Sequence, residues 1–342
     1  MSLQQDIKNF TEEHLVHWLE QYDVAPYRAG QILRWIYQRG AYSFSEMTDL
    51  SRELRSLLSE KLSISRFEQV RVQTSEDGSR KYLFRLKDGQ HIESVLIPEP
   101  GHWTLCISSQ VGCAMACRFC LTGRGRLVRH LEPSEVINQI CAIRDDLSEP
   151  RALTNIVFMG MGEPLANYSN VVQAIRTITG NNGLQFSSRR VTVSTAGLAP
   201  RIDDLGRDVR INLAISLNAA DNDTRNQLMP INRTYPIEAL LSACRRFPLP
   251  SRRTIMFEYV LIAGVNDATA DAERLAKLLR PLRAKINLIP FNPYEGAEFR
   301  TPDEDSIVAF QEVLLSRHYT AVVRRSKGSD IGAACGQLST KT

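Results

Sequence analysis

Beyond about residue 100 the chain alternates short apolar runs with amphipathic stretches, and this alternation restricts its fold more than any other feature. The apolar runs are Leu105 to Ser108, Thr154 to Met159, Val191 to Ser194, Ile211 to Ser216, Met256 to Ile262, Ile286 to Ile289 and Thr320 to Arg324. They read as strands. The stretches Ser134 to Arg144, Asn170 to Ile178, Pro236 to Arg246, Asp267 to Leu282 and Pro302 to Arg317 read as amphipathic helices. Strands and helices in alternation imply a parallel sheet with right-handed crossovers. The fold class is therefore α/β, as a full or partial parallel barrel, with its working residues at the C-terminal ends of the strands.

Two regions precede this core. Residues 1–65 read as helical. Thr11 to Gln21 carries Leu15, Trp18 and Leu19 on one face, Pro26 to Gln38 carries Ile32, Leu33, Ile36 and Tyr37, and Ser51 to Leu62 carries Leu54, Leu57 and Leu58. Pro26 suits a first helical turn. Arg28, Arg34 and Arg39 read as a solvated face. Residues 67–98 switch to a period of two: Val70 to Thr74 and Lys81 to Leu86 flank Glu76-Asp77-Gly78, and Asp88-Gly89 leads into His91 to Ile97. Asp-Gly between alternating apolar residues is a hairpin signal. The expected division is a helical accessory domain at 1–65, a small β-meander linker at 66–98 and the core at 99–342.

The 342 residues are 43% hydrophobic, enough for one large core and a smaller satellite. No stretch of ~18 apolar residues occurs, so no membrane association is expected. The opening Met-Ser-Leu-Gln-Gln-Asp lacks the basic and apolar regions of a secretory signal, and the cytoplasm is the expected compartment. A net charge of +4 permits nucleic-acid binding without demanding it. The distribution says more: Arg124, Arg126 and Arg129 follow a cysteine cluster, and Arg324, Arg325 and Lys327 shortly precede Cys335.

Seven cysteines, an odd number with no secretory context, argue for metal or catalytic use rather than a disulfide framework. Three of them form Cys113-Ala-Met-Ala-Cys117-Arg-Phe-Cys120. Thiolates are the natural ligands of iron–sulfur clusters, and a cubane cluster usually takes four. Three cysteines so close in sequence can hold one cubane and leave its fourth iron without a protein ligand. An open iron can chelate the amino and carboxylate groups of S-adenosylmethionine (SAM) and pass it an electron. Cleavage of the sulfonium then gives a 5′-deoxyadenosyl radical, which abstracts unreactive hydrogens. A zinc knuckle would want a fourth Cys or His at a defined spacing, and His130 is the nearby candidate. The Cys-x3-Cys-x2-Cys spacing, with an aromatic before the last cysteine, favours the radical SAM reading.

With these motifs in hand, the chain resembles the radical SAM RNA methyltransferases that modify adenosine at C2, the dual-specificity ribosomal and transfer RNA enzymes. The resemblance covers nearly the whole chain. It rests on Leu105-Cys106-Ile-Ser-Ser-Gln-Val-Gly-Cys113, the cluster motif, Gly160-Met161-Gly162-Glu163-Pro164-Leu165, Ser194-Thr195-Ala196-Gly197, Asn287-Leu-Ile-Pro290-Phe-Asn292-Pro293 and Asp330-Ile-Gly-Ala-Ala-Cys335-Gly-Gln-Leu338.

The resemblance implies one 4Fe-4S cluster on Cys113, Cys117 and Cys120, and SAM contacts from Gly162, Glu163, Ser194, Ser216, Leu217, Asn218 and Asn292. It implies that one SAM methylates Cys335. A second SAM, cleaved to the radical, takes a hydrogen from the S-methyl group, and the methylene radical adds to adenine C2. That carbon is electron-poor and cannot attack a sulfonium methyl as an amine would, which gives the radical route its chemical reason. Cys106 then releases the product by forming a disulfide with Cys335, and Glu93 accepts the C2 proton. Cys141 and Cys244 match no motif and read as packing residues. The implied substrates are an adenosine of 23S ribosomal RNA near the peptidyl transferase centre and the adenosine 3′ of a tRNA anticodon. A flavodoxin- or ferredoxin-type electron donor and a monomeric enzyme are implied as well. The arginines flanking the site would hold phosphates, with the helical domain as a further grip on RNA.

Three positions depart from the commonest family pattern: Arg126 stands where glycine is usual, His130 where asparagine is usual, and Asn218 where histidine is usual. They bear on loop shape, RNA contact and one SAM contact, and remove no residue the chemistry requires. The sister activity, methylation at adenine C8, shares the cluster and both cysteines, but Pro164 and Pro290 resemble the C2 branch. A reading from another class, an RNA-binding redox sensor, would need neither a SAM pocket nor Cys335.

Overall fold

The structure is a computed structural model and describes residues 4–339. Near its start, β1 (Gln5–Asp6) precedes three helices, α1 (Glu12–Glu20), α2 (Tyr27–Tyr37) and α3 (Arg52–Lys61), and β2 (Leu62–Ser63) returns to pair parallel with β1. Side-chain caps fix two of the helix starts: Thr11 Oγ1 accepts from the His14 N–H (3.1 Å) and Ser51 Oγ from the Leu54 N–H (3.2 Å). The apolar faces of these helices join the same core as the rest of the molecule, with Leu15, Ile32 and Leu58 fully buried. Polar ties reinforce the docking. Lys8 is buried with Nζ on Asn138 Oδ1 (2.6 Å) and Ser65 O (3.0 Å), and Gln173 Nε2 donates to Asn9 O (2.6 Å).

The meander forms as β3 (Glu68–Thr74), β4 (Arg80–Arg85) and β5 (His91–Glu99), all antiparallel. It is more than a linker, because β5 pairs antiparallel with β6 (His102–Cys106), the first strand of the core. A short pair, β7 (Gln110–Val111) with β8 (Arg129–His130), brackets the cysteine loop and the one-turn helix α4 (Leu121–Arg124). Then come α5 (Pro133–Asp146), β9 (Leu153–Phe158), α6 (Tyr168–Thr179), β10 (Val191–Thr195), α7 (Ala199–Asp208), β11 (Asn212–Ser216), α8 (Asn222–Leu228), α9 (Ile237–Arg246), β12 (Ile255–Leu261), α10 (Thr269–Leu279), β13 (Ala284–Pro290), α11 (Glu304–Ser316) and β14 (Thr320–Val323).

Strands β6 and β9 to β14 are parallel and neighbour one another in chain order, so the whole is one ten-stranded sheet running from β14 to β3. This is the expected partial α/β barrel. The chain leaving β14 crosses to the meander at the opposite edge. Gly328 N–H donates to Asp77 Oδ2 (2.7 Å), Ser75 Oγ to Asp330 Oδ1 (2.6 Å), and Lys81 Nζ to Gly332 O (3.3 Å). The C-terminal tail thus straps the two edges together. No helix among the described residues is long and apolar enough to cross a membrane.

Candidate active site

The strand ends of the core open on a cavity of 680 Å³. Among the residues singled out from sequence, Cys113, Cys117, Cys120, Gly162, Glu163, Ser194, Ser216, Asn218, Asn292 and Cys335 all line it. Cys106, Glu93 and Leu217 do not. Leu217 is fully buried and its backbone groups are already paired, the N–H with Glu258 O (3.0 Å) and the carbonyl with Arg225 Nε (3.0 Å).

Burial raises the thiol pKa of Cys113 to about 12 and also lifts those of Cys117 and Cys120, and neighbouring cysteines add to the rise at Cys113 and Cys117. Thiolates are costly here unless a positive centre binds them. Among the described residues no three His, Cys, Asp or Glu donors converge closely enough to hold a single metal ion. His130 is occupied by Gln110, its Nδ1 lying 2.9 Å from Nε2. The donor set, three thiols on one loop beside a buried guanidinium from Arg225, fits a cluster bound through three cysteines.

Gly162 stands at φ 101° with Gln110 Cβ 2.6 Å from where its own Cβ would lie, so no larger residue fits there. It lets Glu163 turn inward. The Glu163 carboxylate accepts from the Ala196 N–H (2.7 Å) and the Leu165 N–H (3.0 Å), tying the end of β9 to that of β10. Burial pushes its pKa up to about 7 against the pull of these donors. A ligand ammonium in the cavity would hold it ionised. Ser194 and Ser216 sit at the ends of neighbouring strands. Asn218 adopts a left-handed conformation (φ 59°), which Asn tolerates. Its Oδ1 accepts from the Val260 N–H (2.8 Å), so this position braces the strand end of β12.

Cys335 rides on the C-terminal tail, which is clasped to the cysteine loop. Leu121 N–H donates to Gly336 O (2.7 Å), and Thr122 Oγ1 to Leu338 O (2.6 Å). Asn292 Nδ2 donates to Ser326 Oγ (2.8 Å) and to Cys335 O (3.1 Å), so it holds the tail as well as lining the cavity. The Cys335 thiol is open to the cavity, and its surroundings, then Glu258, push it up to about 11. Cys106 is buried behind the cavity wall at the end of β6. Burial raises its thiol first and Cys335 second, so the two cysteines are electrostatic neighbours; both are free. Glu93 lies under the tail, with Oε2 accepting from the Ser339 N–H (2.9 Å) and Oε1 3.3 Å from Lys81 Nζ. Burial raises its carboxyl, and these two partners oppose the rise.

The basic residues divide. Arg129 is locked between Asp88 and Glu135, Arg124 grips Glu298 and Gly296 O, Arg325 pairs with Glu304, and Lys327 lies beside Glu99. Arg126 and Arg324 are exposed, with no carboxylate at ion-pair distance among the described residues. Arg189 and Arg190, at the other end of β10, also line the cavity. Sequence reading missed Glu258 and met Asn287 only as the first residue of a motif, with no role; the two are register partners on β12 and β13. Asn287 Nδ2 donates to Glu258 Oε1 (3.0 Å), and its own Oδ1 is buried without a partner among the described residues. An acid inside the apolar run Ile255–Leu261 was the available signal. Nothing in the sequence marked Arg225.

Comparison with known proteins agrees with this geometry. Residues 5–64 match the family described as the Ribosomal RNA large subunit methyltransferase N-terminal domain, and residues 107–279 match the Radical SAM superfamily. The Dual-specificity RNA methyltransferase RlmN of Desulfosudis oleivorans is 55% identical over 99% of this chain and 91% of its own length. Its counterpart in Geobacter sulfurreducens is 56% identical over 98% and 92%. The crystal structure of a radical SAM methyltransferase from Sphaerobacter thermophilus superposes with a TM-score of 0.92 at 44% identity, over 98% of this chain and all of that one. Because the similarity spans the helical region, the barrel and the tail alike, the chain belongs to the dual-specificity RNA methyltransferase RlmN family of radical SAM enzymes, whose cofactors are a cysteine-bound 4Fe-4S cluster and SAM.

Proposed function

We propose that this chain methylates C2 of adenosine in RNA, consuming two SAM per methyl group. Its targets are an adenosine of 23S ribosomal RNA at the peptidyl transferase centre and the adenosine 3′ of the anticodon in tRNAs. One observation carries the reading: the Cys335 thiol opens into the same cavity as Cys113, Cys117, Cys120 and Glu163, with Cys106 close behind its wall. A sensor that worked through its cluster alone would need neither a SAM pocket nor this thiol. The relatives' printed activity supports the same reading.

In this account Cys113, Cys117 and Cys120 hold the cluster. Gly162, Glu163, Ser194, Ser216, Asn218 and Asn292 border SAM, and Leu217 underlies them with its backbone paired to Glu258 and Arg225. When bound, the cluster and SAM supply a transferable methyl group and a one-electron cleavage that yields a hydrogen-abstracting carbon radical. The chain's own residues do the rest. Cys335 gives up its thiol proton and carries the methyl carbon as a thioether to adenine C2. Glu93, whose raised carboxyl is a stronger base than an ordinary carboxylate, takes the C2 proton. Once the adduct's unpaired electron has been passed on, which the oxidised cluster would accept, Cys106 as a thiolate attacks the Cys335 sulfur; the S–S bond forms, the S–C bond breaks with its electron pair left on the enamine-like carbon, and a proton taken up there gives the methyl group of the product. A flavodoxin- or ferredoxin-type protein supplies electrons.

The adenosine must be unstacked to enter. Arg126 and Arg324 are the flanking cations available to its phosphates, and the accessory domain at 1–65 adds a second grip beside the linker at 66–98 and the core at 99–342. The enzyme works in the cytoplasm as a monomer. A Cys335→Ala protein is expected to keep its cluster, read from visible absorption after anaerobic reconstitution, and to lose RNA methylation entirely. Methylation that persists in that protein would sink the route through Cys335.

A further inference from the structure

A buried guanidinium stands beside the cysteine loop with no acid at ion-pair distance among the described residues. Arg225, on α8, is fully buried. Its Nε donates to Leu217 O (3.0 Å), Nη1 to Asn232 Oδ1 (2.9 Å), and Nη2 to Ala196 O (2.7 Å) and Ser216 O (3.1 Å). All four acceptors are neutral, and among the described residues no carboxylate lies at ion-pair distance from it. Hydrogen bonds to neutral oxygens satisfy the donors but leave the charge uncompensated, and a lone cation out of water is costly.

The end of α8 meets the cysteine loop. Leu228 O accepts from the Arg118 N–H (3.0 Å), and Leu228 packs in one cluster with Cys117 and Ala196. After burial, Cys117 is the group that acts most strongly on Arg225. Burial lowers the guanidinium only to about 10, so it stays cationic at neutral pH.

We propose that Arg225 is the fixed countercharge of the iron–sulfur cluster and raises its reduction potential, while its hydrogen bonds position the ends of β10 and β11. The inference rests on the reading that Cys113, Cys117 and Cys120 hold that cluster. Three thiolates outweigh the positive charge of an oxidised cubane core, and one-electron reduction adds a further negative charge. A fixed cation in dry surroundings stabilises the reduced state more than the oxidised one. A carboxylate beside Arg225 would cancel that effect, which accounts for four neutral acceptors around a buried charge.

The test is a redox titration of the anaerobically reconstituted full-length protein, followed by electron paramagnetic resonance of the reduced cluster. In Arg225→Gln, the ratio of reduced to oxidised cluster at a given potential is expected to fall at least tenfold, a shift of about 59 mV for one electron. Arg225→Lys keeps the charge but only part of the clamp, and should stay close to wild type. Asn232→Asp sets a carboxylate against Nη1 without removing the guanidinium, and should shift in the same direction as Arg225→Gln. A merely structural clamp would suffer from Lys as much as from Gln. The proposal is overturned if Arg225→Gln and Asn232→Asp titrate like wild type, or if Arg225→Lys shifts as far as Arg225→Gln. Should Arg225→Gln fail to hold its cluster, Asn232→Asp and Arg225→Lys decide the matter by the same criteria. Wild-type protein that takes up no cluster would instead remove the reading on which the inference rests.

Discussion

Two buried carboxylates face the cavity, and burial raises both to about 7 although their partners differ. Glu163 accepts two backbone N–H groups. Glu258 has the neutral amide of Asn287, while Arg324 and Lys285 act on it only through space. Burial pushes Glu258 from the ordinary 4.5 to about 7. A carboxyl whose pKa rises on folding binds its proton more tightly in the native state. Its stabilising contribution is complete below the unfolded value and is lost as pH climbs through the folded one. Glu258→Gln keeps an acceptor for Asn287 and removes the charge. We expect the variant to melt at a higher Tm than wild type at pH 8, by the equivalent of up to about 3 kcal/mol, and at the same Tm near pH 5. A difference that does not change between the two pH values would show that Glu258 is not held protonated. The contrast also shows what sequence can reveal at this scale. Cys113, Glu163 and Asn287 belong to motifs, and Glu258 does not. Glu258 and Asn287 come together only because β12 and β13 pair in register.

At the scale of elements, the strap that carries Cys335 depends on one backbone position. Gly328 has φ 71°, and a Cβ there would lie 2.8 Å from Ala333 Cβ. A side chain would be strained and would push the tail off its seat. Gly328→Ala should lower RNA methylation roughly 10- to 100-fold, because a displacement of about an ångström misaligns the reacting group. Its Tm should fall by only a few degrees. Assays on cluster-loaded protein read the first, thermal melts the second. Unchanged methylation would show that the strap does not set the position of Cys335. The strap itself was not legible in the sequence, since its partners Ser75, Asp77, Lys81 and Glu93 lie some 250 positions upstream. The core strands were legible because buried parallel strands are continuous apolar runs. The helices α7 and α8 were not. Pro200, three aspartates and Gly206 break up the pattern of α7, and α8 buries only Arg225 and Leu228.

At the scale of the whole molecule, three regions that look separable in sequence share one core and two of them share one sheet. The join lies at Pro100-Gly101, where β5 turns into β6. His102 and Thr104 flank Trp103 there, and their polarity hid the first residues of β6 from an apolar-run reading. That join carries function in the proposed account. It sets Glu93 on β5 and Cys106 on β6 in neighbouring strands, on the side where the tail brings Cys335. The account therefore predicts a single product from a single cavity. Cluster-loaded protein given SAM, a reductant, ribosomal RNA and tRNA should yield 2-methyladenosine in both RNAs when the digested nucleosides are resolved by mass spectrometry. 8-Methyladenosine without 2-methyladenosine would contradict it.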